Sequence, residues 1–186
     1  MGQHHSIRAE HTGVDGKRLR AAAITKIARM KLLIAFLVLS SAAGAVAEPM
    51  VIAVRHAEKE VENGGDPGLS AAGRARAEML ARMLKSAGIT HVFTSEFRRT
   101  QETAAPVAAL LGITPTVVPG KDIAALASKL REINGNALVV GHGDTVPALL
   151  RALGIEAPVT IGNNDYGNIF IVALGEKPRL LQLRYP

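Results

Sequence analysis

Two histidines in this chain stand at positions suited to chemistry. His56 follows the aliphatic run VIAVR, and His142 follows ALVVG. Between them lies TSEFRRTQETA, residues 94–104, which carries the paired arginines Arg98 and Arg99. An unprotonated imidazole is a nucleophile, and a guanidinium is a permanently charged planar fork that bonds two oxygens of an oxyanion at once. Together they suit a phosphoryl group, whose charge in transfer spreads over its equatorial oxygens and calls for fixed positive donors. Each feature alone has an ordinary explanation. An Arg-His pair after a strand is commonly surface, a histidine after VVG can pack or cap, and paired arginines often open a solvated helix. They acquire meaning only if the fold brings them together.

The elements needed for that are legible as alternating strands and helices. MVIAVR (50–55) and NALVVGH (136–142) are continuous apolar runs, as expected of strands buried on both faces. After the Gly/Asp/Pro-rich ENGGDPG, Ser70 is an N-cap for a helix to about Ala87, with Gly88 as its stop. HVFTS (91–95) reads as a strand, and RRTQETAAPVAALL (98–111) as a helix that Pro106 should kink or end late. TPTVV (114–118) suggests a strand, DIAALASKLREI (122–133) an amphipathic helix, and Thr145–Leu153 a further helix. NIFIVAL (168–174) and RLLQLRYP (179–186) read as closing strands, joined as a hairpin across GEKP. The expected fold class is α/β: a three-layer α/β/α sandwich with a mainly parallel central sheet. In such sheets ligands bind beyond the carboxyl ends of the strands, where His56, His142 and the arginine pair would share one rim.

Composition narrows the function classes. The 186-residue chain has no cysteine, which excludes disulfides, zinc thiolates and cysteine nucleophiles. Its formal charge of +6 is concentrated at the start: residues 1–47 hold seven Lys+Arg against two Asp+Glu, and residues 48–186 hold fifteen against fourteen. No basic face with interleaved aromatics follows, so nucleic acid is not an expected partner. MKLLIAFLVLSSAAGAVAEP (30–49) reads as a secretory signal: Arg29 and Lys31 supply charge, residues 32–39 the apolar stretch, and Ala45-Val46-Ala47 the cleavage site. The apolar stretch falls short of the roughly 20 residues that favour a membrane span. The expected organisation is a basic leader, 1–47, cleaved after Ala47, and a mature domain, 48–186. That domain would be exported, periplasmic in a Gram-negative source, and without stable membrane insertion; the alternative is an uncleaved leader serving as anchor.

Four motifs in order give the domain a family resemblance. RHA (55–57), LSAAGRARA (69–77), TSEFRRTQETA (94–104) and VVGHGDTVPALLRALG (139–154) resemble the motif series of the histidine phosphatase superfamily, the phosphoglycerate mutase-like proteins. The resemblance spans nearly all of 50–186. It implies a metal-independent phosphatase without cofactor, acting on a small phosphorylated substrate through a phosphohistidine on His56. By the same resemblance Arg55, Arg99 and His142 form the phosphate pocket, with His142 donating to a phosphate oxygen. Arg98 is a rim residue. Ser95 either bonds near the phosphate or caps a helix. Ala57 stands where the family usually has glycine and marks a subgroup. His91 has no motif and reads as structural.

The general acid is the open position. Leaving-group protonation calls for a carboxylic acid within reach of the ester oxygen. The short segment after QETA offers no glutamate. Asp144, two residues past His142, is the first candidate, with helix capping as the competing role. Glu58, two residues past His56, is the second; Lys59 could pair with it or attract an anionic substrate. Two rival functions share the fold: a phosphoglycerate mutase-like phosphotransferase, and a non-catalytic protein that binds phosphate or phosphosugars.

Overall fold

The computed structural model describes residues 48–61 and 65–186, all within one compact unit; the leader lies outside the described residues. Six strands form one sheet in the order β3-β2-β4-β1-β5-β6. In chain order the elements are β1 (Met50–Arg55), α1 (Ala71–Leu84), β2 (Ile89–Thr94), α2 (Arg98–Leu111), β3 (Thr116–Val117), α3 (Ile123–Glu132), β4 (Asn136–Gly141), α4 (Thr145–Ala152), β5 (Asn168–Ala173) and β6 (Arg179–Arg184). The first four strands pair in parallel with one another, while β5 pairs antiparallel with both β1 and β6. The expected α/β/α class and the closing hairpin are both present.

Side-chain alternation along the two central strands builds both layers. Val51 and Ala53 of β1, with Ala137 and Val139 of β4, pack with Leu130 of α3 and Leu149 and Leu150 of α4. Their neighbours Ile52, Val54, Leu138 and Val140 face the other way, onto Leu80 and Leu84 of α1 and Val107 of α2. A strand covered on both faces must be apolar at every position, which is why VIAV and ALVV carry no polar residue. These central strands have no side chain to spare for chemistry, so reactive residues collect at their ends.

The differences from expectation are local. TPTVV shrinks to a two-residue β3 at the sheet edge, with both residues exposed, where little burial rewards a longer strand. Helix α1 stops at Leu84, and α2 runs from Arg98 to Leu111 across Pro106. Ser70 caps α1 as expected, accepting from the Gly73 backbone N–H. Gly73 itself lies against the Glu58 carbonyl so closely that any Cβ there would collide with it. The same carbonyl accepts from the Ser70 N–H, so the start of α1 is clamped to the chain just past His56. Gly73→Ala is expected to lower unfolding free energy by about 1–3 kcal/mol, the usual cost of forced overpacking. Urea denaturation of the two proteins would measure this.

Candidate functional site

Strand pairing brings the two histidines to one rim. β1 and β4 are parallel with Arg55 opposite Gly141, and the ladder continues as the His56 N–H donates to the Gly141 carbonyl at 2.9 Å. The His56 and His142 rings consequently sit 5.4 Å apart, nearly edge to face. β2, on the other side of β4, ends beside them and delivers Ser95 and the start of α2. Arg55, His56, Arg99, His142 and Asp144 all line one open cavity of about 800 Å³, together with Glu96, Phe97, Lys121 and Asn163.

The protonation pattern of His56 follows from its partner. Its Nδ1 lies 2.8 Å from the Ala57 carbonyl, which can only accept, so Nδ1 carries the hydrogen and Nε2 keeps a free lone pair. Burial, with smaller contributions from Arg55, Arg99 and His142, lowers its pKa from 6.5 to about 4. The ring is therefore neutral at physiological pH. The adjoining backbone is also held: the Ala57 N–H donates to Thr103 Oγ1 at 3.0 Å, and Thr103 donates in turn to the Arg99 carbonyl. Ala57 is fully buried against Leu69 and Ala77, which is where its methyl group finds room.

His142 sits at the head of a hydrogen-bond chain. Arg99 can only donate, so its contact to His142 Nδ1 at 3.4 Å makes Nδ1 an acceptor. Nε2 then holds the hydrogen and donates to Ser95 Oγ at 2.9 Å; Ser95 bonds Thr100 Oγ1, and Thr100 donates to the Phe97 carbonyl. Ser95 is thus a buried support behind His142, in contact with its ring and with Thr100. For His142 to donate from Nδ1 to an oxyanion, it must take up a proton, and burial lowers its pKa, with Arg99 adding to the effect. A bound phosphate dianion would oppose both influences.

The arginines are positioned by the chain around them. Arg55 Nη1 donates to the carbonyls of Gly162 and Asn163 at 2.7 and 2.8 Å, and its guanidinium lies 4.4 Å over the Tyr166 ring. Its Nε is buried and meets no hydrogen-bond partner among the described residues. Arg99 stacks 4.4 Å from the Phe97 ring and pairs with Asp66 at 3.6 Å. Asp66 also accepts from the Arg98 backbone N–H, which serves the start of α2, where Phe97 makes no side-chain cap. Arg98, read as a rim residue, pairs with Glu102 and does not line the cavity.

Neither candidate acid stands free. Glu58 is a correction: both its oxygens are bound by Arg76, at 2.7–3.0 Å, and it does not line the cavity. That pairing lowers its pKa and keeps it ionised, so it is no proton donor. Lys59 accordingly has no claim on it and lies exposed in a short bridge to Leu69. Asp144 does line the cavity, but it is exposed and caps α4 by accepting from the Thr145 N–H at 2.9 Å. His91 bonds Thr90 and stacks on Phe93, away from the site.

Sequence reasoning missed Thr103, Tyr166 and Asp66. Thr103 had a usable signal: with Thr100 it is a polar residue on the buried, Ala/Val-lined face of α2, where a hydroxyl needs a partner. Tyr166 lies in the stretch between α4 and β5 that no periodic pattern marks.

Comparison with known proteins bears on the fold and on part of the sequence. Residues 51–122 match the family model of the histidine phosphatase superfamily, branch 1. The matched stretch, from β1 to the cap of α3, is similar to that superfamily. The solved protein histidine phosphatase SixA, in complex with tungstate, superposes with a TM-score of 0.63 at 23% identity, covering 73% of this chain and 96% of that one. A probable phosphoglycerate mutase GpmB of Yersinia enterocolitica is 33% identical over 94 residues, 47% of this chain and 40% of its own. The PE-PGRS family protein PE_PGRS11 of Mycobacterium tuberculosis is 47% identical over 55 residues, 29% of this chain. The chain spans only 9% and 40% of the lengths of these two curated relatives.

Two measurements test the site. In an NMR titration His56 should protonate with a midpoint near 4. Its imidazole then stays neutral, and nucleophilic, as pH falls through the range where an ordinary histidine becomes charged. Ser95→Ala should lower unfolding free energy in urea by about 1–3 kcal/mol, by stranding the His142 Nε2–H. Ser95→Thr, which restores the hydroxyl, should recover part of the loss.

Proposed function

We propose that this protein is a phosphatase that hydrolyses phosphomonoesters in two steps through a phosphohistidine on His56. The observation that carries the reading is the tautomer of His56: Nδ1–H is committed to the Ala57 carbonyl, and Nε2 is a free lone pair beside two guanidiniums. In the first step Nε2 attacks phosphorus and the bond to the ester oxygen breaks, leaving the alcohol to take a proton. In the second, water attacks the phosphohistidine, releasing inorganic phosphate and returning the lone pair to Nε2. Arg55 and Arg99 hold the equatorial oxygens throughout, and His142, once protonated, adds a third donor. Asp144 is the remaining carboxyl candidate for the alcohol's proton, acting from the cavity wall. No step calls for a metal ion, since the guanidiniums supply the fixed positive charge.

The reading extends to location. The basic segment, the short apolar stretch and the Ala-Val-Ala site support export with cleavage after Ala47, so that substrates would be met outside the cytoplasm. Expression in a Gram-negative host, with mass analysis of the periplasmic fraction, should yield a chain that begins at Glu48. A product retaining residues 30–47 in the membrane fraction would favour the anchor instead.

The activity is tested with the full chain and 4-nitrophenyl phosphate in the presence of EDTA. Wild type should release phosphate and form an acid-labile phosphoprotein on rapid quench. His56→Ala should do neither, losing at least about a thousandfold in rate, as removal of a covalent nucleophile does. Equal rates in the two proteins would end the proposal.

A further inference from the structure

The cavity is much larger than a phosphoryl group, and its outer wall has a definite chemistry. Beyond the cradle it is lined by Phe97, Ile123, Ala148 and Ile161, and by three charged side chains, Glu96, Lys121 and Asp144. Both carboxylates are held in place. Glu96 accepts from the Gly120 N–H at 2.7 Å, and Asp144 from the Thr145 N–H at 2.9 Å. Gly120 also fixes how near Glu96 stands to the cradle. A Cβ built there would be 3.6 Å from Glu96 Oε2 and 3.6 Å from the His142 ring. The fields of Glu96 and Asp144 reach that ring, since both favour its protonated form.

Charge around a bound phosphate can then be balanced. A phosphomonoester carries about −1.5 to −2 near neutral pH. Arg55 and Arg99 offset it, but Asp66 already takes part of the charge of Arg99. Outside the cradle two carboxylates face one lysine. The outer wall alone carries one formal negative charge in excess, whether or not His142 takes a proton. Resting on the phosphatase reading of this site, we infer that the leaving-group half of the cavity accepts a neutral or cationic alcohol with an alkyl or aryl body and discriminates against one that bears a carboxylate. The apolar wall receives the body, and the Glu96–Asp144 pair repels a second anion. Lys121 is a single exposed cation beside Glu96, too little to reverse the sign. A phosphoglycerate-type substrate, with its own carboxylate, is the kind this wall disfavours.

The test uses the full chain and three aryl phosphates matched in phenol acidity, bearing a hydroxymethyl, aminomethyl or carboxymethyl group on the ring. The expected order of kcat/KM is aminomethyl at or above hydroxymethyl, with carboxymethyl lower by roughly fivefold to tenfold at low salt. Raising ionic strength should shrink that gap. Glu96→Gln should shrink it too, because Gln can still accept from Gly120. The corresponding aryl phosphonates, which cannot be hydrolysed, are measured in parallel by calorimetry and should bind in the same order. Carboxymethyl phosphonate binding as tightly as the neutral one, or tighter, overturns the inference. Absence of turnover for all three esters, with the phosphonate order intact, overturns only the phosphatase reading.

Discussion

The parallel pairing of β1 with β4 is the constraint on which the rest of this structure depends. It sets Arg55 opposite Gly141 and carries the ladder one residue further, through the His56 N–H to the Gly141 carbonyl. Two rings 86 residues apart in sequence meet because of that register. Moving it by one residue would turn Val51 and Ala53 toward the α1/α2 layer and carry His56 away from His142. The packing of both faces at once, Val51 and Ala53 on one helix layer and Ile52 and Val54 on the other, is therefore as much a part of the site as the histidines are.

Around that register, the protein fixes its polar groups by making each donor answer one acceptor. His56 gives its hydrogen to the carbonyl that follows it, and the Ala57 N–H goes to Thr103. His142 passes its own through Ser95 and Thr100 to the Phe97 carbonyl. Both rings are buried, where a misplaced proton would leave an unsatisfied group at a cost of about 1–3 kcal/mol. Low solvent access thus selects the tautomers, and the tautomers determine which nitrogen can react. Arg55 is held by similar means, since two carbonyls and one aromatic face restrict a side chain that would otherwise sample many rotamers.

What the sequence disclosed follows the same physical division. VIAV and ALVV read as central strands because both faces are covered, and Arg55, His56, Arg99 and His142 read as a set because the motif series orders them. β3 was overestimated because TPTVV has strand-forming residues but lies at an edge that buries neither Thr116 nor Val117. Glu58 was misjudged because a carboxylate's role depends on its partner, and Arg76 lies 18 residues away on a helix whose orientation no local pattern reveals. Ser95 reads as a phosphate-side or capping residue by position, and only the fold sets its hydroxyl against His142. Asp66 and Tyr166 were not seen, since their importance comes only from the arginines that tertiary structure places against them.

The position of β1 within the sheet also has a consequence for how the molecule is made. Both of its neighbours, β4 and β5, come from the later part of the chain, at Asn136–Gly141 and Asn168–Ala173. A polypeptide emerging with its N-terminus first holds VIAV with both backbone edges open until nearly the whole domain has followed. Long-range parallel pairing of this kind is slow, and an unpaired aliphatic strand invites the wrong partner while it waits. The strand that leads into His56 precedes its partners in synthesis and is among the last enclosed, so the histidine rim can assemble only when the fold is all but complete.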